Sequence, residues 1–237
     1  MLYGMLVWGG KSAPERIELL HAPFVRLTVA RGRLEGVTRR RVRAAGRKRR
    51  KLGITQAVLP EGFCYREVLE KEGVFPVTTL QLRREIAADW VRAALVERKM
   101  APSGAKVGVA AETLSAEVVR TVTELSLRHR YVLLSVPRGG EELSRRLRRE
   151  YGVSLQINPG NAEQPEAVVQ FTKGEQEGSV VTLRLWDESQ SLPQLALPPG
   201  QEELLPPGLD RGQMIAALRK TGAVRQVEVR EGPVRPQ

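Results

Sequence analysis

The sequence predicts an α/β protein made of two units, each built on a mostly parallel sheet. Short apolar runs typical of strands alternate with longer amphipathic segments typical of helices along the 237 residues. Where a helical segment separates two strand-like runs, the length of the connection favours parallel strands. A break at residues 101–105, which read Ala-Pro-Ser-Gly-Ala, divides the chain. We therefore expect one unit over residues 1–100 and a second, more regular unit over residues 101–237.

In the first unit, the strand-like runs alternate with segments of helical periodicity. One of these segments is strongly basic, and it forms a predicted helix over residues 38–52, with Thr38 as its N-cap and Gly53 as its end. The predicted strands are Leu2–Trp8, Ile17–Leu20, Phe24–Val29, Thr55–Leu59 and Val74–Thr78. A short helix is expected at Tyr65–Lys71, and one long amphipathic helix at Gln81–Arg98.

In the second unit the alternation is more regular. The predicted strands are Lys106–Ala111, Tyr131–Val136, Val153–Ile157, Ala167–Phe171 and Val180–Trp186, with helices at Ser115–Arg130 and Glu141–Tyr151. A proline-rich connector over residues 192–207 leads to a last helix at Asp210–Thr221 and a strand at Val224–Val229. This order resembles one half of a Rossmann-like dinucleotide-binding fold in outline.

The turn that would hold a dinucleotide departs from that fold's pattern. Residues 108–115 lack the Gly-x-Gly-x-x-Gly spacing that lets the backbone approach a pyrophosphate. Glu112 would also place a negative charge beside the phosphates. We therefore expect neither NAD nor FAD to bind in the usual mode, and the sequence predicts no cofactor.

Composition excludes several other chemistries. Cys64 is the only cysteine, so an intrachain disulfide and a cysteine-rich metal site are excluded, and we expect its thiol to be buried and inert. Two distant histidines, His21 and His129, argue against a histidine metal site. No apolar run approaches the ~18–20 residues of a membrane helix, and no export signal is visible. We expect a cytoplasmic protein that does not engage a membrane.

The basic segment at residues 39–51 carries most of the excess charge. It holds nine cations and no acid, so removing them from the net charge of +11 would leave +2. At ~100° per residue, a helix would place six of the cations within an arc of about 120°. Val37, Val42, Ala45 and Leu52 would occupy the opposite side. The six predicted outward cations are Arg39, Arg40, Arg43, Arg47, Arg50 and Lys51.

A concentrated patch of cations favours a polyanionic partner, and we take nucleic acid as the first partner to test. Two other interpretations stay open. The cations form a merely solvated face, or they pair with acids of the same chain such as Glu67, Glu70 and Glu72. Docking on an acidic protein is a further alternative. No aromatic residue is interleaved within the basic segment.

The ends of the predicted strands suggest a second type of site. Ligands of open α/β sheets collect beyond the carboxyl ends of the strands. This rule selects Glu112 and Thr113 together with the turn Arg138, Gly139 and Gly140, whose glycines and arginine precede a helix and favour an anion. The acids Glu141 and Glu142 follow at once and oppose an anion, so an ordinary turn is the alternative.

Other motifs are weaker. Gly9, Gly10, Lys11 and Ser12 match the end of a phosphate-binding loop, but Met5 stands where the motif needs glycine, so we expect a strand-end turn. Asn158 and Asn161 could join Glu112, although no pair has a spacing typical of acid–base catalysis. We interpret the chain as a binding or accessory protein more than an enzyme. An enzyme with a nonstandard small-molecule site is the alternative, and the oligomeric state stays open.

Overall fold

The computed structural model describes residues 2–10, 13–159, 164–174 and 179–231. The strands are β1 (Tyr3–Trp8), β2 (Glu15–Leu19), β3 (Ala22–Val29), β4 (Gln56–Val58), β5 (Phe75–Pro76), β6 (Lys106–Ala110), β7 (Tyr131–Ser135), β8 (Leu155–Ile157), β9 (Ala167–Gln170), β10 (Val181–Arg184), β11 (Leu195–Ala196) and β12 (Glu228–Val229). The α-helices are α1 (Glu35–Lys51), α2 (Arg66–Glu70), α3 (Leu80–Glu85), α4 (Ala87–Glu97), α5 (Ala116–Arg128), α6 (Gly140–Tyr151) and α7 (Arg211–Thr221), with a 3-10 helix at Glu202–Leu204.

These elements form two compact units whose limits differ from the expected boundary at residue 101. Within the described ranges, unit 1 comprises residues 2–79 and Leu197–Val227, and unit 2 comprises Leu80–Ala196 and residues 228–231. Helices α3 and α4 precede residue 101 but belong to unit 2, because α4 packs on β9, β10 and α5. The chain then leaves unit 2 within the proline-rich connector and returns to unit 1 through α7.

Unit 1 contains a five-stranded sheet in the order β2-β3-β1-β4-β5. Strand β1 is parallel to both β3 and β4, and β4 is parallel to β5, whereas β2 pairs with β3 as an antiparallel hairpin. Helix α7 is tied to the end of β4, because the Leu59 amide donates to Gln213 Oε1 at 3.0 Å and the Asp210 amide donates to the Leu59 carbonyl at 2.8 Å. These bonds explain why the distant segment Leu197–Val227 belongs to this unit.

Helix α1 links β3 to β4 and packs one face on the core of unit 1. It begins at Glu35, so Thr38 is not the N-cap that the sequence predicted. Thr38 is buried, and its hydroxyl accepts a hydrogen bond from the Gly32 amide at 2.8 Å. Val37 and Leu52, expected on the packed side, are 40% and 46% exposed. The buried positions of the helix are Thr38, Val42, Ala45, Gly46 and Arg49.

Unit 2 contains a five-stranded sheet in the order β10-β9-β6-β7-β8 in which every adjacent pair is parallel. If the strands of this sheet are numbered 1 to 5 in chain order, from β6 to β10, their order across the sheet from the β8 edge is 3-2-1-4-5. This is the order of a doubly wound Rossmann-like sheet. The predicted α/β class with mostly parallel sheets is therefore confirmed. Helices α5 and α6 form the crossovers β6–β7 and β7–β8.

Two local details of unit 2 were not expected. The single long helix predicted at 81–98 is divided into α3 and α4, and the break lies at Ile86. Part of the proline-rich connector forms β11, which pairs antiparallel with β12. Among the helices in the described part of the chain, none is long and apolar enough to cross a lipid bilayer.

Candidate functional site

A row of cations runs along the outward side of α1. Arg40, Arg43, Arg47, Lys48 and Lys51, with Ala44, line one open groove of about 370 Å³, and we call these five cations the cationic stripe. Steps of three or four residues relate Arg40, Arg43, Arg47 and Lys51, and Lys48 lies one turn before Lys51, so all five share one side of the helix. Arg39 and Arg50 are also exposed but lie outside this groove, so all six cations expected to point outward are exposed.

One acid of unit 1 partly neutralises the stripe. Glu72 Oε1 lies 3.7 Å from Arg43 Nε, and Glu72 Oε2 lies 3.2 Å from Arg47 Nε. Gly46 permits this approach, because a Cβ at position 46 would lie 3.0 Å from the Glu72 Cβ. Glu70 instead pairs with Arg66 at 2.7 Å.

The remaining basic side chains of the outer side are not neutralised in this way. Within residues 2–10, 13–159, 164–174 and 179–231, no acidic partner is found for Arg39, Arg40, Lys48, Arg50 or Lys51. Self-pairing, one of the alternatives, therefore accounts for two of the exposed cations. The five cations just named, Arg39, Arg40, Lys48, Arg50 and Lys51, stay available to a partner.

Arg49 differs from every other cation of α1. It is fully buried, and among the described residues its Nε, Nη1 and Nη2 atoms have no hydrogen-bond acceptor. Burial lowers the pKa of the Arg49 guanidinium to about 9. The sequence left Arg49 off the outward set but did not predict a buried charge without a partner, which is costly in an apolar environment.

An aromatic cluster of unit 1 lies at the carboxyl ends of β1 and β4. Trp8 is the last residue of β1, and its ring centroid lies 5.5 Å from that of Phe63 and 6.3 Å from that of Tyr65. Phe63 and Tyr65 are 5.8 Å apart. We call Trp8, Phe63 and Tyr65 the aromatic cluster. All three are half-buried and pack against the core of unit 1.

A cation and a thiol accompany the cluster. The guanidinium carbon of the exposed Arg31 lies 4.8 Å from the Trp8 ring centroid. Cys64 is exposed, so the expectation of a buried thiol was wrong. Partial desolvation raises the pKa of the Tyr65 hydroxyl, and the nearby Cys64 and Glu35 add to the rise. Sequence reasoning missed this cluster, and the only available signal was the rule that ligand sites follow strand ends.

A crevice of about 420 Å³ opens at the carboxyl ends of β6, β7 and β9 in unit 2. Strands β6 and β9 flank the point where the strand order reverses, which is where doubly wound sheets bind ligands. The polar residues that line it are Glu112, Ser135, Asn158, Gln170, Thr172 and Lys173. Their amide, hydroxyl and charged groups suit a small polar molecule.

Asn158 forms part of one wall of this crevice, and its backbone has a positive φ. Its φ of 46° lies in the left-handed region, where few residues other than glycine are found. Its Oδ1 accepts a hydrogen bond from the Val136 amide at 2.9 Å, and its own amide donates to the Leu134 carbonyl at 2.9 Å. These bonds fix the segment after β8 to the end of β7.

The five small-molecule candidates from the sequence do not all line one cavity. Glu112 lines the crevice, whereas Thr113 and Arg138 are exposed and line neither it nor the neighbouring groove of about 470 Å³ beside α6, which Gly139 borders. The local structure explains why glycine occupies positions 139 and 140. Gly139 has a φ of 83°, and a Cβ on Gly140 would lie 2.8 Å from Ile157 Cγ2.

Several weaker candidates cannot be placed or form no site. Asn161, Lys11 and Ser12 lie outside the described residues. Across the described ranges, no cluster of three histidine, cysteine, aspartate or glutamate side chains is arranged to hold a metal ion.

Comparisons with known proteins identify no family. The sequence matches no protein-family model and no curated protein. L-tryptophan dehydrogenase from Nostoc punctiforme is 13% identical over 63% of this chain and 44% of its own, with a TM-score of 0.31. The catalytic subunit of M. jannaschii aspartate transcarbamoylase is 10% identical over 71% of this chain and 60% of its own (TM-score 0.29), and shikimate dehydrogenase from Aquifex aeolicus is 12% identical over 72% and 68% (TM-score 0.25).

The chain thus spans less than two thirds of the length of the first two of these proteins. TM-scores this low support no assignment. The fold class given above rests on strand order and pairing.

Proposed function

We propose that this chain is a nucleic-acid-binding protein that contacts the phosphate backbone through the outer side of α1. The observation that carries the proposal is the cationic stripe, in which five cations line one groove and the only acid paired with them, within the described residues, is Glu72. Like charges this close repel one another along a helix, and phosphates placed beside them relieve that repulsion.

Contacts to phosphates fix a protein on nucleic acid without reading its sequence. The arrangement on α1 offers charge without an array of amide side chains suited to base edges. We therefore expect binding that tolerates changes of nucleotide sequence and weakens steeply with salt. Engagement of ~4–6 phosphates on a duplex corresponds to a log–log salt slope of about −4 to −5. A cytoplasmic location is part of this proposal.

The test removes three cations of the stripe that have no acidic partner. The triple substitution Arg40→Gln, Lys48→Gln and Lys51→Gln should weaken binding for all sequences and reduce the salt slope by about 2.7, because each lost phosphate contact removes ~0.9. The matched control is Arg145→Gln, Arg146→Gln and Arg149→Gln on α6, whose arginines are also exposed. Both variants lose three positive charges, so a difference between their affinities for nucleic acid shows that the position of the lost cations matters.

Fluorescence anisotropy at several salt concentrations provides the measurement. Equal weakening by both triple variants would show that net charge alone is responsible and would count against a site on α1. If the wild-type protein retains no nucleic acid even at low salt, the nucleic-acid proposal fails. In that case docking of the stripe on an acidic protein becomes the leading hypothesis.

The crevice of unit 2 supports a second candidate function, binding of or catalysis on a small polar molecule. Its position at the reversal of strand order favours this function. Thermal melting with a panel of carboxylates, sugars and nucleosides tests it, because a ligand that binds the native state raises Tm. Lys173→Ala should abolish any such shift, whereas Arg138→Ala, outside the crevice, should preserve it. We expect NAD and FAD to give no shift.

A further inference from the structure

We infer that the aromatic cluster of Trp8, Phe63 and Tyr65 is a base-stacking platform, and that the nucleic acid bound by this chain is single-stranded. The inference rests on the proposed function, since it assumes that α1 binds phosphates. It adds a second site on the same unit and a class of ligand. Single strands expose the faces of their bases to aromatic side chains, whereas a duplex keeps them stacked on one another.

The geometry of the aromatic cluster suits a surface on which bases can stack. Its rings lie 5.5–6.3 Å apart between centroids and are half-buried, so each has one side on the core of unit 1 and another part open to solvent. Packing against buried core residues restrains the rings, and a restrained ring loses little entropy when a base stacks on it. Trp8 and Phe63 also follow parallel strands, at the sheet edge where α/β proteins bind ligands.

Arg31 shows that a planar group fits over Trp8. Its guanidinium carbon lies 4.8 Å from the ring centroid, and its side chain is exposed. The backbone of this segment is fixed, because Arg41 Nη1 donates to the carbonyls of Ala30 and Arg31 at 3.2 and 3.1 Å. We infer that a base replaces the guanidinium over Trp8 while Arg31 turns to a phosphate of the same strand. This exchange keeps the cation paired.

The cluster adjoins the start of α1. Arg31, whose guanidinium lies over Trp8, precedes the first residue of α1 by four positions, and Tyr65 packs on the same core cluster as Val42 of that helix. Arg39 and Arg40 lie in the next turn of α1 and are exposed. From Arg40 to Lys51 the helix rises about 16 Å, which provides a track for several further phosphates.

The experiment compares single strands of about 12 nucleotides, within the ~4–16 that one single-strand-binding domain covers, with duplexes of the same length. Phe63→Leu and Tyr65→Leu remove one ring each, and Phe63→Tyr and Tyr65→Phe retain the ring. Tyr131→Leu is the matched control, because Tyr131 is exposed and has Arg130 5.4 Å from its ring centroid but lies in unit 2. Far-ultraviolet circular dichroism checks that each variant folds.

We expect each ring-removing variant to bind single strands about 10-fold more weakly or worse, with its salt slope and duplex affinity unchanged. The ring-retaining variants and Tyr131→Leu should bind like the wild type. A second measurement needs no variant. Photocrosslinking of the wild-type protein to a single strand that carries iodouracil should attach it to a peptide containing Trp8, Phe63 or Tyr65.

The outcomes separate this inference from the function on which it rests. If the ring-removing variants bind single strands normally, or if the wild type prefers the duplex, the platform is refuted while binding through the stripe stands. Crosslinking confined to other peptides refutes it as well. If the wild type binds neither form, both proposals fall.

Discussion

The guanidinium of Arg49 on α1 lies against the backbone of Gly4 on β1. A Cβ at position 4 would lie 3.0 Å from Arg49 Nη1 and 3.1 Å from the guanidinium carbon. Glycine at this position thus makes room for a buried cation that, among the described residues, has no hydrogen-bond acceptor. The pair joins a strand of the sheet to the helix that carries the cationic stripe, so changes at either position test how firmly α1 is held.

Gly4→Ala should destabilise the protein. The added methyl group meets both the Arg49 guanidinium and Ile54 Cγ2, which would be 3.1 Å away. Overpacking of this type lowers the free energy of unfolding by about 1–3 kcal/mol. Gly10→Ala is the control, since none of the described residues has an atom within 4 Å of a Cβ there, and it should change stability by no more than ~0.5 kcal/mol. Urea denaturation measures both, and equal effects would contradict the close contact.

Arg49→Met should stabilise the protein, because it replaces an unpaired buried charge with an apolar side chain of similar length. We expect a gain of about 1–4 kcal/mol near neutral pH, by comparison with other buried charges replaced by apolar residues. Arg50→Met, at the adjacent exposed position, should have little effect. If Arg49→Met unfolds the protein, the guanidinium has a favourable partner.

The same substitution should change how stability depends on pH. Folding lowers the pKa of Arg49 from its ordinary value to about 9, so above pH 9 the folded protein releases a proton that the unfolded chain retains. The unfolded state then binds more protons, and this group makes stability rise with pH from about 9 up to the ordinary pKa of an arginine side chain. Arg49→Met lacks this contribution, so its advantage over the wild type should narrow across that window. A constant difference in urea midpoints would contradict the lowered pKa.

Glu72→Gln should strengthen nucleic-acid binding. The carboxylate of Glu72 lies within ion-pair distance of Arg43 and Arg47, and its removal leaves both free for phosphates. We expect the salt slope to steepen by about 1–2, because each additional phosphate contact adds ~0.9. Glu70→Gln, which removes the same charge from the Arg66 pair, is the control and should leave the slope unchanged. The same gain from both variants would point to net charge.

Asn158→Ala and Asn158→Gly should differ in stability. Both remove the acceptor for the Val136 amide, and a buried donor left unsatisfied costs about 1–3 kcal/mol. Alanine also keeps the strain of a positive φ, which glycine tolerates. We therefore expect the alanine variant to be the less stable by about 1 kcal/mol. Thermal denaturation of the two proteins checks this, and equal Tm values would show that φ contributes no strain.

Much of the fold was predictable because the pattern that specifies it is local. Lys106–Ala111, Tyr131–Val136 and Val153–Ile157 were expected in one parallel sheet, and β6, β7 and β8 lie side by side in it. Buried parallel strands have continuous apolar runs, and crossover helices have a 3.6-residue period, so both are visible within a few residues. The break at Ile86 was not visible, because both halves of the 81–98 segment have helical periodicity.

The boundaries of the two units could not be predicted from a local sequence pattern either. Residues 101–105, Ala-Pro-Ser-Gly-Ala, have the composition of a linker, yet they lie inside unit 2. The boundaries are set instead by the packing of α4 on β9 and β10 and by the hydrogen bonds between Leu59 and the start of α7. Such contacts join residues more than 70 positions apart, as Leu59 and Gln213 are 154 positions apart.

The candidate site also has some features that the sequence determined and others that only the tertiary structure decided. The sequence alone determined that the cations crowd into residues 39–51 and that six of them share one side of a helix, because helical geometry relates neighbours by a constant angle. Only the tertiary structure decided which acid reaches them, and it brought Glu72 to Arg43 and Arg47. It also buried Arg49 beside Gly4. Trp8 meets Phe63 and Tyr65 only because β1 and β4 are neighbours in the sheet, and strand order depends on the packing of the whole unit, which no short stretch of sequence records.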